Sequence, residues 1–138
     1  MWLLLLSCLF QLSFLSSYER PPLYVTVTGV PQATGDVLLG VWTTEGEFLS
    51  DQARVAGIIL PARAGEVRFE LTDLPPGRYA ISVLHDKDRN GKMTKSMLGW
   101  PVEAYGFSNN ARNTFSAPDF ADCAFELRER TELVIGIK

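Results

Sequence analysis

A period-two alternation of apolar and polar residues constrains this chain more than any other feature. In Glu66 to Leu71, the residues Val67, Phe69 and Leu71 fall on one side, and Glu66, Arg68 and Glu70 fall on the other. Successive side chains of an extended strand point to opposite faces, so such a segment buries one face of a sheet and wets the other. The same rhythm recurs in Tyr24 to Val30, Arg78 to Leu84, Cys123 to Leu127 and Leu133 to Ile137. Asp36 to Trp42 is more continuously apolar, as befits a central strand, and Arg54 to Leu60 holds a shorter one that ends at Pro61. Phe48 to Ala64 has the weakest period and has room for a short helix.

About seven strands separated by turn signals predict an all-β fold, an antiparallel β-sandwich with one long ordered loop. Pro31-Gln32-Ala33-Thr34-Gly35 and Leu74-Pro75-Pro76-Gly77 supply the turn chemistry: Pro fixes φ and Gly permits positive φ. With 138 residues, the chain suits one domain. Its 46% apolar and 21% charged content is that of a globular protein. A formal net charge of −3, with Lys and Arg scattered singly, argues against nucleic acid and against a polybasic membrane patch.

Trp2 to Leu15 is apolar apart from Ser7, Cys8, Gln11 and Ser13, and is too short to span a bilayer, which takes about 20 residues. Residues 1–17 are expected to be a signal peptide that is removed, although no Lys or Arg precedes Arg20. Residues 18–22 are expected to be a connector, and 23–138 a single β-sandwich domain. The product would be secreted or periplasmic, with no membrane span after signal removal. It would keep one cysteine, Cys123, read as a small buried hydrophobe.

His85 to Asn110 leaves the end of an apolar strand as a long Gly- and Asn-rich excursion. Ordered loops of this length in compact domains usually carry function. The excursion is preceded by Pro76-Gly77-Arg78-Tyr79-Ala80, which starts a strand ending in His85-Asp86. The turn Asn90-Gly91-Lys92 follows, then Gly99-Trp100-Pro101-Val102-Glu103 and Gly106-Phe107-Ser108-Asn109-Asn110. In this order the motifs resemble the bacterial secreted family catalogued as domain of unknown function 2141. The resemblance implies a small exported β-sandwich, similar to transthyretin-like and carboxypeptidase-regulatory-like modules, and implies no activity. Members of that family commonly carry an acidic residue two positions after the Lys of the turn; here Thr94 stands there, followed by Lys95.

Asp86, Asp88, Asn90 and Gly91 match the first half of an EF-hand loop, in which alternate side chains converge on calcium and Gly makes the turn. The second half fails, because Met97 occupies the twelfth position, where a bidentate Glu belongs. A weak calcium site would need Glu103 to fold back onto Asp86, Asp88 and Asn90. The simpler reading is a tight turn in which Asp and Asn cap backbone N–H groups, with Asn90-Gly91 at the positive-φ positions. No other cofactor is indicated.

His85 is the only histidine. A hydrolase would need it to work with Asp86 or Asp88 and Glu103, yet adjacent residues of a strand face opposite ways, and no complete catalytic motif is present. The simpler role is to hydrogen-bond the long loop. Trp100, Tyr105, Phe107 and Phe115 lie near Asn109, Asn110, Arg112 and Asn113. Rings give contact area and amides give direction, a combination suited to a glycan or peptide. The competing reading, the one preferred for Trp100 and Phe107, folds these rings inward as a lid and spends the asparagines on the loop's own backbone. The reading chosen is a non-enzymatic binding or accessory module of the bacterial envelope working through residues 86–113. Its ligand candidates are His85, Trp100, Glu103, Tyr105, Asn109, Asn110 and Arg112, and its partner is an envelope protein, a glycan or a peptide. A weak calcium-stabilised structural domain and a hydrolase are the alternatives.

Overall fold

The structure, a computed structural model, describes residues 19–44 and 46–138. The expected signal segment, 1–17, lies outside them. Eight strands form two sheets. The smaller sheet has the order β4-β1-β8, from β4 (Gly65–Leu71), β1 (Leu23–Val30) and β8 (Thr131–Gly136). The larger has the order β3-β2-β5-β6, from β3 (Ala56–Pro61), β2 (Asp36–Thr43), β5 (Gly77–Asp86) and β6 (Tyr105–Phe107). The short β7 (Phe125–Leu127) pairs with the start of β5.

The alternation sorts the side chains as the sequence predicts. Val67, Phe69 and Leu71 are buried, and their outward neighbours Glu66, Arg68 and Glu70 are exposed. Facing them across the ladder, Val25 pairs with Phe69 and Val27 with Val67, so one apolar stripe crosses the sheet. From the other side, Val37, Leu39, Val41, Ile81 and Val83 close the same core. Removing this apolar surface from water, at about 25 cal/mol for each Å², is the main force holding the two layers together.

Four details differ from the expectation. Every pairing is antiparallel except β1 with β8, which run parallel from Leu23↔Thr131 to Thr28↔Gly136. Cys123 ends a one-turn helix, α1 (Phe120–Cys123), instead of opening a strand, and β7 begins only at Phe125. The strand β6 adds to the expected set; its three residues sit in a Gly- and Asn-rich stretch with too few alternations to mark a strand. Phe48 to Ala64 holds turns followed by β3, with no helix.

β6 also joins the sheets at one edge. Tyr105 and Lys138 exchange both backbone hydrogen bonds, at 3.1 and 3.2 Å. The approach is close because Gly106 has no side chain: a Cβ there would stand 2.6 Å from the Gly136 carbonyl oxygen.

Candidate binding groove

The long excursion is a built structure with three parts. The first is a carboxylate-capped turn at the end of β5. Asp86 accepts the Asn90 N–H at 3.1 Å through one oxygen and the Gly91 N–H at 2.8 Å through the other. Asn90 Oδ1 accepts the Lys92 N–H at 3.0 Å. Glu103, buried, folds back and accepts the N–H groups of Lys87 at 2.9 Å and Thr94 at 3.0 Å. The positive-φ positions are Arg89 and Gly91, not Asn90 and Gly91. The Asn90 side chain is engaged with Asp88, Lys92 and Thr94.

Asp86, Asp88 and Glu103 offer ligand oxygens that all lie within 4.8 Å of one another, so these are the residues that could hold a cation. Their geometry already has another occupation, because each carboxylate caps backbone N–H groups of the turn. Met97, at the twelfth position, is fully exposed at the tip of the excursion. For the Asp88 carboxyl, desolvation pushes the pKa upward. Hydrogen bonds from the Asp86 carboxyl, the Asn90 N–H and the Thr94 hydroxyl outweigh it and hold the pKa below 3.8.

The second part is a small hairpin. Lys95 and Pro101 bridge, Val102 donates to Thr94 O at 3.0 Å, and Ser96 donates to Trp100 O at 2.8 Å. It lifts Met97, Leu98 and Trp100 into solvent. Trp100 is 52% exposed, so it is not the inward-folded lid residue expected; Phe107 is buried, as that reading required.

The third part is the stretch after β6. Ser108 Oγ, fully buried, accepts the Ile81 N–H at 2.9 Å and donates to Cys123 O at 2.5 Å. Asn109 and Asn110 sit at φ of 60° and 50°, a left-handed conformation that asparagine tolerates. Asn109 Nδ2 donates to Asp122 O and Ala124 O, and Asn110 clasps β8 through Val134 O and Gly136 N. Arg112 donates to Tyr105 O and Gly136 O, with its guanidinium 5.5 Å from the Tyr105 ring centroid. Burial, reinforced by Asp122 and Asp119, pushes the Cys123 thiol up to about 11, so it stays protonated and unreactive.

Between these parts and the outer face of the larger sheet lies a groove of about 700 Å³. Its floor comes from the outward positions of β2 and β5, which pair as Leu38↔Leu84 and Gly40↔Ser82. Trp42 is placed with its indole edge over Gly40 and donates Nε1–H to Ser50 O at 2.9 Å. Met93, Leu98 and Trp100 form one wall and Phe115 another, the rings of Trp100 and Phe115 meeting at 6.4 Å. Lys92, Lys95, Arg54 and Asp51 are the charged lining, and Arg54 and Asp51 pair at 3.4 Å.

Of the ligand candidates named from the sequence, Trp100 and Tyr105 line this groove, as do the neighbouring Phe107, Asn113 and Phe115. His85, Glu103, Asn109, Asn110 and Arg112 do not. His85 is fully buried, and Nε2 meets Thr34 O at 2.7 Å in the β1–β2 turn, not the long loop; it is the His85 backbone N–H that bonds the loop, at Ala104 O. The floor residues Leu38, Gly40, Trp42 and Leu84 are not among the candidates that the sequence suggests. Their signal was present: Asp36 to Trp42 keeps apolar residues at its outward positions, where a one-sided strand would be polar.

Residues 25–134 match the model of a family described as an uncharacterized protein conserved in bacteria, DUF2141. The chain belongs to this family. No curated protein and no solved structure shows significant similarity to it. The matched residues of this DUF2141 chain run from within β1 to within β8 and include every wall and floor residue named above. Among the described residues of the DUF2141 chain, no helix is long and apolar enough to cross a membrane.

Proposed function

We propose that this DUF2141 protein is an exported, non-enzymatic binding module of the bacterial envelope that takes its ligand in the groove on the outer face of β2 and β5. One observation carries the reading. Leu98, Trp100 and Phe115 are 84%, 52% and 85% exposed, and they surround a single concavity. Folding tends to cover such side chains, and a contiguous exposed group around a cleft marks a binding surface. Export is supported by the apolar stretch Trp2 to Leu15.

Catalysis has less support. His85 faces the core, and Asp86 and Glu103 spend their oxygens on backbone N–H groups. Among the described residues Asp51 is the only carboxylate lining the groove, and it is paired with Arg54. General acid-base work needs a group free to reach a substrate. Screening the purified protein against glycan and peptide arrays, beside a Trp100→Ala, Phe115→Ala variant, tests the reading. Ligands lost by the variant, at unchanged melting temperature, support the groove; ligands retained by it move the binding surface elsewhere.

A further inference from the structure

We infer that the groove takes a free anionic amphiphile, with an apolar chain along the sheet floor and a carboxylate-type head held by Lys92 and Lys95. The inference rests on the groove reading above and adds the ligand class.

The floor excludes an extended peptide held by main-chain bonds. β2 lies between β3 and β5, and β5 lies between β2 and β6. Both are interior strands whose backbone groups are used in their own ladders, and strand addition needs a free edge. The carboxamide and the carboxylate that a sugar would bond most strongly are engaged within the protein. Asn113, the only carboxamide of the lining, donates to Ser116 Oγ and Ala117 O. Asp51 is held by Arg54. Four hydroxyls, of Ser82, Tyr105, Thr114 and Ser116, also line the groove; the rest of the uncharged lining is mostly apolar, with the Leu38–Leu84 pair below and Met93, Leu98, Trp100 and Phe115 around it. An alkyl chain asks for such a surface and for no hydrogen bonds.

Charge supplies the second half. In a chain of net −3, Lys92 and Lys95 both line the groove, both are exposed, and neither has an ion-pair partner among the described residues. Two unpaired ammonium groups beside an apolar trough complement a ligand with one anionic end. A volume of about 700 Å³ is within the range of small-molecule sites.

The test is calorimetric titration of the full chain with dodecanoate below its micelle concentration, beside dodecyl maltoside and dodecyltrimethylammonium. Dodecanoate should bind at least tenfold more tightly than either. Its affinity should rise at least twofold for each added methylene and fall with salt. Lys92→Gln, Lys95→Gln should remove the preference for the anion and leave dodecyl maltoside unchanged. Both side chains are exposed, and an unaltered melting temperature verifies the fold. Equal binding of the three head groups, or an unaltered preference in the double variant, overturns the inference. So does co-sedimentation with phosphatidylglycerol vesicles without dodecanoate binding. An array ligand that depends on Trp100, with no dodecanoate binding, would overturn this inference alone and leave the groove reading standing.

Discussion

Glu103 Oε1 lies 2.9 Å from the backbone nitrogen of Lys87, sixteen residues earlier, and so ties the outward and returning arms of the excursion together. The other oxygen takes Thr94 at the base of the hairpin. One side chain thereby fixes where the hairpin stands over the sheet. Glu103→Ala leaves two part-buried N–H groups without their acceptor, and an unsatisfied donor costs about 1–3 kcal/mol when fully buried and less when water can reach it. A loss of about 1–2 kcal/mol is expected in urea unfolding, with Glu103→Gln losing less because its amide keeps one acceptor oxygen.

Calcium is expected to leave the melting temperature unchanged at millimolar concentration. The oxygens of Asp86 and Glu103 are already directed at backbone N–H groups, and the side chain at the twelfth position is a solvent-exposed Met97. A ligand that binds only the folded state raises its stability by mass action, so a concentration-dependent rise with calcium, absent with magnesium, would show that the three carboxylates hold the ion.

Asp88 gives the turn a pH dependence with a definite sign. Its folded pKa lies below the ordinary 3.8, so the folded state releases its proton more readily than the unfolded chain does. The stabilisation is present above the unfolded value and is lost as pH falls through the folded one. Melting curves recorded from about pH 5 to about pH 2.5 should therefore fall less steeply for Asp88→Asn than for the natural protein. Parallel curves would mean that Asp88 stands free of its partners in solution.

Much of the scaffold can be read from one-dimensional pattern because burial acts on one face at a time. Glu66 to Leu71 could hardly be anything but a strand with Val67, Phe69 and Leu71 inward. The site was harder for two reasons. Residue type does not reveal the partner: Asn109, Asn110 and Arg112 look like ligand contacts and instead bind carbonyls of α1, β6 and β8. The second reason is that β2 is apolar on both faces. Its inner Val37, Leu39 and Val41 explain the run so well that the outward Leu38 and Trp42 pass unnoticed. Arg89 at φ 56° shows a third difficulty, since turn statistics favour Asn or Gly there and neighbouring hydrogen bonds decide otherwise.

Gly106→Ala should be severe. The new methyl would meet the Gly136 carbonyl oxygen at 2.6 Å and the Ile135 and Ile137 methyl groups at 3.2 Å, and a backbone oxygen cannot turn aside as a side chain can. Overpacking costs about 1–3 kcal/mol, and the upper part of that range is expected by chemical denaturation. Loss of the Tyr105–Lys138 backbone bonds should appear as faster amide exchange at those two positions.

The parallel partnership of β1 with β8 sets an order on folding. A polypeptide emerging from its amino end exposes the lone flank of β1 until residues 131–136 arrive to zip along it. That pairing spans nearly the whole described chain, so closing it is an entropically expensive late event. Half-synthesised molecules carry an open, hydrogen-bond-hungry border on a sheet already paired with β4 on its other side. Truncations before residue 131 should therefore aggregate instead of folding.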